Sequence, residues 1–238
     1  MKEGIMGAEV LFGRTTEQET VHTEQKSVPR PAGWNPDNFA REQIRGLVRH
    51  VFFSNVERPV RQVIFSAVDP ETDVKNICRL VGEALALETT GSIAVAGKYP
   101  QALPGAEICG GSDKDARAVL RQSATRVRGN LWLVPAAAFL GCGENGNNSA
   151  WLLSRLGELR REFDFALIHA SPAGEADGSA VFLGHLADGL VLALDAHRTR
   201  RRSAMRIREQ LSAVNVRLLG TVLRDRVFPI PEKLYRRL

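Results

Sequence analysis

Val63-Ile64-Phe65-Ser66-Ala67-Val68-Asp69-Pro70-Glu71-Thr72-Asp73-Val74-Lys75-Asn76 is the stretch from which the fold can be read. It opens on a short apolar run, crosses a turn containing Pro70, and enters Val74 to Leu87, where apolar residues recur at helical spacing. A buried strand, a turn and an amphipathic helix form the first half of a strand–helix–strand unit. The pattern then repeats. Ile93-Ala94-Val95, Leu131 to Val134, Phe165 to Ile168, Leu190 to Leu194 and Arg217 to Leu223 read as strands. Asp113 to Val127, Ala150 to Phe163, Ser179 to Leu186 and Ser203 to Val214 read as helices. Strands that are apolar throughout are buried on both faces, so the expected fold is α/β: a doubly wound, mostly parallel sheet with helices on both sides.

Upstream, residues 1–38 carry Pro29, Pro31, Gly33 and Pro36 and little periodic pattern, and are expected to form a flexible arm. The domain proper is expected over 39–238. It begins with a helix from Phe39 to Phe53, its apolar face carrying Ile44, Leu47, Val48 and Val51 and its start capped by Asp37 or Asn38.

Nothing in the 238 residues is an apolar run long enough to span a bilayer, and no leader is expected at the N-terminus. Cys78, Cys109 and Cys142 fit neither a zinc pattern nor a disulfide framework, which points to a reducing, cytoplasmic setting. The net charge of +5 is concentrated late in the chain, in Arg198, Arg200, Arg201, Arg202, Arg206 and Arg208 and then Arg236 and Arg237. Such a cluster is either a solvated helix face or a surface for an anionic partner. No aromatic residue interleaves with it, so stacking on nucleic-acid bases is not expected. Glu158 to Glu162 reads as a solvated helix face.

Ligands of such sheets bind in the turns after the strands. The turn after Phe65 is where a phosphate loop would lie. A phosphate loop needs glycines, whose backbone amides turn toward the anion, and a Lys followed by Ser or Thr. Pro70, Glu71, Thr72, Asp73, Val74, Lys75 and Asn76 offer none of the glycines, and Glu71 and Asp73 place negative charge at the helix start. Lys75 alone could still reach a phosphate. At the end of the Phe165 run, His169 occupies the position where a Mg²⁺ site would want a carboxylate. It is a candidate general base with no partner fixed by sequence. No metal site is expected.

Four stretches carry a resemblance to the cytoplasmic ATPase domain of the bacterial tyrosine kinases of capsule and exopolysaccharide biosynthesis, a MinD/ParA-like branch of the P-loop proteins. It spans roughly Phe39 to Leu238. Glu42-Gln43-Ile44-Arg45-Gly46-Leu47-Val48-Arg49 is similar to the family's Glu-x-x-Arg-x-x-Arg oligomerisation helix, with the last Arg one residue late. Val63 to Ala86 resembles the Walker A region, with Pro70 matching the proline that opens Pro-Gly-Glu-Gly-Lys-Ser-Thr. Asn130 to Ala136 resembles a Leu-x-x-Leu-Pro-x-Gly strand. Phe163 to Pro172, Leu186 to Leu192 and His197 to Arg201 resemble the Walker B strand and the two segments after it.

The departures from that pattern fall on the chemistry. Glu71 and Asp73 replace the loop glycines, Val74 the lysine and Lys75 the Mg²⁺-binding hydroxyl. Ala96 and Lys98 stand where the family's second Walker motif has aspartates, His169 stands for the Walker B aspartate, and Arg224 stands for an adenine-recognising Asn. The C-terminal tyrosine cluster is reduced to Tyr235.

The resemblance therefore implies a P-loop NTPase-like fold and a place in polysaccharide export, without the residues of phosphoryl transfer. The leading expectation is a pseudo-ATPase or pseudokinase acting as regulator or scaffold, with no cofactor. It would be cytoplasmic, or peripheral at the inner membrane through a membrane-embedded chain-length or export protein, and an intact paralogue or further copies of itself are the other expected partners. Glu42, Arg45, Arg49, Arg198, Arg200 and Arg201 are the expected partner surfaces. The alternative is an active kinase or ATPase using ATP and Mg²⁺ with displaced ligands, Lys75 for the lost lysine and Asp177 for a lost carboxylate. A third reading is a MinD/ParA-like positioning protein whose basic face meets membrane or DNA.

Overall fold

The structure, a computed structural model, describes residues 9–12, 36–97, 116–136, 138, 149–175 and 178–224. Eight strands form one sheet in the order β1-β8-β7-β2-β6-β3-β5-β4. They are β1 (Glu9–Phe12), β2 (Gln62–Ala67), β3 (Ile93–Gly97), β4 (Thr125–Arg128), β5 (Leu131–Pro135), β6 (Phe165–His169), β7 (Gly189–Asp195) and β8 (Leu218–Arg224). Every pairing is parallel except that of β4 with β5, a short antiparallel edge.

The helices are α1 (Pro36–Val48), α2 (Val74–Glu88), α3 (Ala116–Ser123), α4 (Ser149–Glu162), α5 (Ser179–Leu186) and α6 (Arg201–Ala213). One face of the sheet packs against Leu47 and Val48 of α1 and Ile77, Val81 and Leu85 of α2. The other packs against Leu120 of α3, Leu152, Leu156 and Leu159 of α4, Leu183 of α5, and Ile207 and Leu211 of α6. All six residues of β2 are buried, as both-face coverage requires. On the first face, α2 lies so close to the sheet that a Cβ on Gly82 would sit 2.7 Å from Val95 Cγ2.

Each strand run read from the sequence forms a strand, and the α/β architecture is as expected. Four local differences have physical causes. Residues 9–12, placed within the arm, lie parallel to β8 in register Glu9 with Thr221 through Phe12 with Arg224, a pairing too short and too distant in sequence to show as periodicity. The first helix starts at Pro36, so Asp37 and Asn38 lie inside it, and it gives way to a π-helical turn over Arg49–Phe53. That wider turn accompanies packing of Phe52 edge-on to Phe165, with ring centroids 5.7 Å apart. The long helical pattern from Asp113 divides into α3 and β4, because Thr125 to Arg128 pair with β5 rather than continue the helix. Finally, Glu158 is not solvated: it is 8% exposed, buried beside Arg155 at 7%. Arg161 reaches it at 2.8 Å. The carboxylate is covered because α4 lies on the sheet, where Gln62 Nε2 donates to Leu156 O at 2.7 Å.

Candidate functional site

The parallel strands β7, β2 and β6 are neighbours at the centre of the sheet, and their carboxyl ends share one edge. Three turns emerge there, and hydrogen bonds join them. Ser66 Oγ donates to Ser171 O at 2.6 Å, and Ala173 N donates to Ala67 O at 2.8 Å, tying the turn after β6 to the end of β2. Val68 N donates to Ala193 O at 3.1 Å, tying β2 to β7. Gly174 closes over this junction: a Cβ there would lie 3.1 Å from Val68 O.

The turn after β2 is satisfied from within. Thr72 N donates to Asp69 O at 3.3 Å and Val74 N to Thr72 O at 2.8 Å. Asp73 is the N-cap of α2, and its carboxylate accepts from Asn76 N at 3.0 Å. A phosphate loop turns these amides toward its anion; here they face the loop's own carbonyls and an internal carboxylate. Glu71 and Asp73 are exposed on this turn, and Lys75 is exposed in the first turn of α2. Thr72 is 7% exposed, and its hydroxyl has no hydrogen-bond partner among the described residues.

The turn after β7 is a second constellation; in the sequence His197 to Arg201 belong to a segment of the resemblance and to the basic surface, whereas Asp195 is not among the expected site residues. Asp195 ends the strand at 9% exposure. Its Oδ1 accepts from His197 N at 2.9 Å, and its own N–H donates to Thr199 Oγ1 at 2.8 Å. The Thr199 hydroxyl donates in turn to Asp69 Oδ2, which latches the β7 turn to the β2 turn. A cleft of about 440 Å³ opens beside it, lined among others by Asp195, His197, Thr199, Arg201 and Leu223. The readable signal for this site was a lone carboxylate at the end of a fully apolar strand, Leu190 to Asp195.

The structure separates the other sequence candidates. His169 ends β6, half-buried, in register with Phe65. Asp177 and Lys98 lie outside the described residues, as do Cys109, Cys142, Tyr235, Arg236 and Arg237. Arg224 ends β8, where its carbonyl accepts from Ala196 N at 2.9 Å. Glu42 and Arg45 pair with each other at 2.9 Å on α1, and Arg49 reaches Glu88 of α2 at 3.2 Å. These three charges are exposed or nearly so, but each is compensated on the domain's own surface, Glu42 and Arg45 by each other and Arg49 by Glu88. Arg198, Arg200 and Arg201 are exposed at the start of α6, far in the sheet order from the edge carrying β4.

Among the described residues no three His, Cys, Asp or Glu side chains are grouped to hold a metal ion. Two of the three carboxylates in the turn after β2 are committed, Asp69 to Thr199 and Asp73 to the helix start. Nucleotide phosphates do not fit these residues: an anion at the start of α2 would meet the Asp73 carboxylate, and the amides of Thr72, Val74 and Asn76 are bonded within the turn. Cys78 is fully buried in the core, and burial pushes its thiol well above the usual range, so it is no nucleophile.

No protein-family model matches the chain, and no curated protein matches it. Solved structures do. The fold is similar to the kinase domain of Escherichia coli tyrosine kinase ETK, with a TM-score of 0.62 at 13% identity over 94% of this chain and 92% of that one. It is similar to the BceF tyrosine kinase domain, with a TM-score of 0.59 at 16% identity over 78% of this chain and 77% of that one. It is also similar to a chain of the MinC:MinD cell division protein complex of Aquifex aeolicus, at 0.51 and 14% identity over 75% of this chain and 72% of that one. The chain therefore has the P-loop NTPase-like α/β fold of bacterial tyrosine kinase domains, the fold that its motifs resembled.

Proposed function

We propose that this chain is a pseudo-ATPase: a regulator or scaffold of exopolysaccharide or capsule export that keeps the kinase fold and has lost its phosphoryl-transfer chemistry. The observation that carries this reading is the closed turn after β2, where Asp73 caps α2 in place of a bound phosphate. Phosphoryl transfer depends on positioned donors and Mg²⁺, and removing a single stabilising donor commonly costs about 10²–10³-fold in rate. With the glycines, the lysine and the carboxylates all replaced, little of that stabilisation remains. The link to polysaccharide export rests on the motif resemblance and on the shared fold. Its partner is the cytoplasmic end of a membrane-embedded export or chain-length protein, which would hold it at the inner membrane, or an intact paralogue.

Nucleotide binding is the direct test. ATP or ADP at millimolar concentration, with and without Mg²⁺, is expected to give no calorimetric heat and no shift of the melting curve. A ligand at about 100 times its dissociation constant would add about 2.7 kcal/mol of stability. Mg²⁺-dependent binding that Lys75→Ala abolishes would overturn the proposal and favour the working enzyme. Pull-downs that recover no export component test the pathway separately.

A further inference from the structure

Asp195 is a carboxylate withdrawn from water with one of its oxygens unmet. It ends β7 at 9% exposure. Its Oδ1 accepts from His197 N at 2.9 Å. Among the described residues no hydrogen bond or ion pair reaches its other oxygen. That oxygen is not sealed inside the protein either, and Asp195 lines the cleft of about 440 Å³. A buried charge costs free energy unless it is paired and hydrogen-bonded, so the position calls for a donor from outside the chain. The cleft itself has the size of a small-molecule site.

The rest of the lining has two further characters. Leu194, Leu223 and Ala204 make part of it apolar. Arg201 makes part of it cationic, and this side chain has no ion pair among the described residues. Arg201 is also the first residue of α6, whose N-cap Arg200 makes no side-chain hydrogen bond and whose first turn holds no acidic residue. The amides that open α6 therefore lack a side-chain acceptor, at the positive end of the helix dipole. A guanidinium beside such a helix start favours an anionic group. The turn between Asp195 and α6 is closed by Thr199 N, which donates to Asp195 O at 2.9 Å, so the two poles belong to one small site. An anion alone would meet the Asp195 carboxylate, and an amine alone would meet Arg201. A molecule carrying both charges satisfies both. The cleft lies on the α6 side of the sheet, whereas α2, at whose start a phosphate loop would hold its anion, packs on the opposite face.

We propose that this cleft binds a zwitterionic amino acid with an apolar side chain. Its ammonium group meets Asp195, its carboxylate meets Arg201 and the amides opening α6, and its side chain lies on Leu194 and Leu223. This goes beyond the proposed function and does not rest on it, because the turn after β2 takes no part. The test is to melt the whole chain with L-valine, L-leucine, L-isoleucine, L-methionine or L-phenylalanine, each at about 10 mM, and to follow any shift by calorimetry. At least one is expected to raise the melting temperature. For that amino acid, the amine lacking the carboxylate and the acid lacking the amino group should each bind at least about tenfold more weakly. Asp195→Asn keeps an acceptor for His197 N and removes the charge, and should weaken binding about tenfold or more. Arg201→Gln, an exposed change that spares the core, should do the same, whereas Arg206→Gln, outside the cleft, should leave affinity unchanged. No shift with any of these amino acids, unchanged affinity in Arg201→Gln or in a folded Asp195→Asn, or tighter binding of adenosine than of every amino acid would each overturn the proposal.

Discussion

The turns after β2 and β7 leave the same edge of the sheet, and each leads into a helix, yet they are finished in opposite ways. After β2 the chain satisfies its own amides, and α2 begins with a carboxylate cap from Asp73. After β7 the turn itself is well bonded through Asp195 and Thr199, but the helix it feeds begins with Arg200, Arg201 and Arg202 and no cap. The first turn has become local structure at the place where a P-loop protein holds its ligand. The second leads into a helix that starts on cations, where a carboxylate would favour the fold.

The latch between the two turns is the most sensitive point of the contrast. Thr199→Val removes the hydroxyl that serves Asp69 and accepts from Asp195 N, leaving a carboxylate oxygen and a largely buried N–H without partners. We expect a loss of about 2 kcal/mol in chemical denaturation, in the range for stranded buried polar groups. No change in midpoint would mean the turns are not coupled through this hydroxyl. Asp73→Ala, which deletes the cap of α2, is expected to cost about 1 kcal/mol. A Tm unchanged by it would show that the β2 turn is not held by its own carboxylate. The smallest effect has the opposite sign. Arg200→Asp supplies α6 with the cap and the negative charge it lacks, and should stabilise the domain by about 0.5–1 kcal/mol. If this variant lowers stability, the arginines at the start of α6 serve the fold after all.

How much was legible in advance differs between these same regions. Around Val63 to Asn76 the strand, the turn and the helix could be read in order, and the absence of glycine made an amide cradle for phosphate unexpected, because the positive φ values such a cradle uses are open mainly to glycine. The β7 turn was legible only as an apolar strand and a basic run. That Thr199 bridges Asp69 and Asp195 across 130 residues of sequence is a matter of which strands become neighbours. The burial of Glu158 and Arg155 was missed for the same reason: helical periodicity marks an apolar stripe, but only the packed sheet decides how wide the covered face is.

Sequence by itself determined the alternation of strands and helices, the both-face burial of the sheet, the absence of glycine between Ser66 and Asn76 and the basic character of 198–208. These follow from local propensity and composition, which need no partner in space. Tertiary structure decided the order β1-β8-β7-β2-β6-β3-β5-β4, the splitting of one helical pattern into α3 and β4, the addition of residues 9–12 at the edge, and the joining of three turns at one edge of the sheet. Those depend on long-range pairing, where the free energy comes from contacts between segments that no local pattern records.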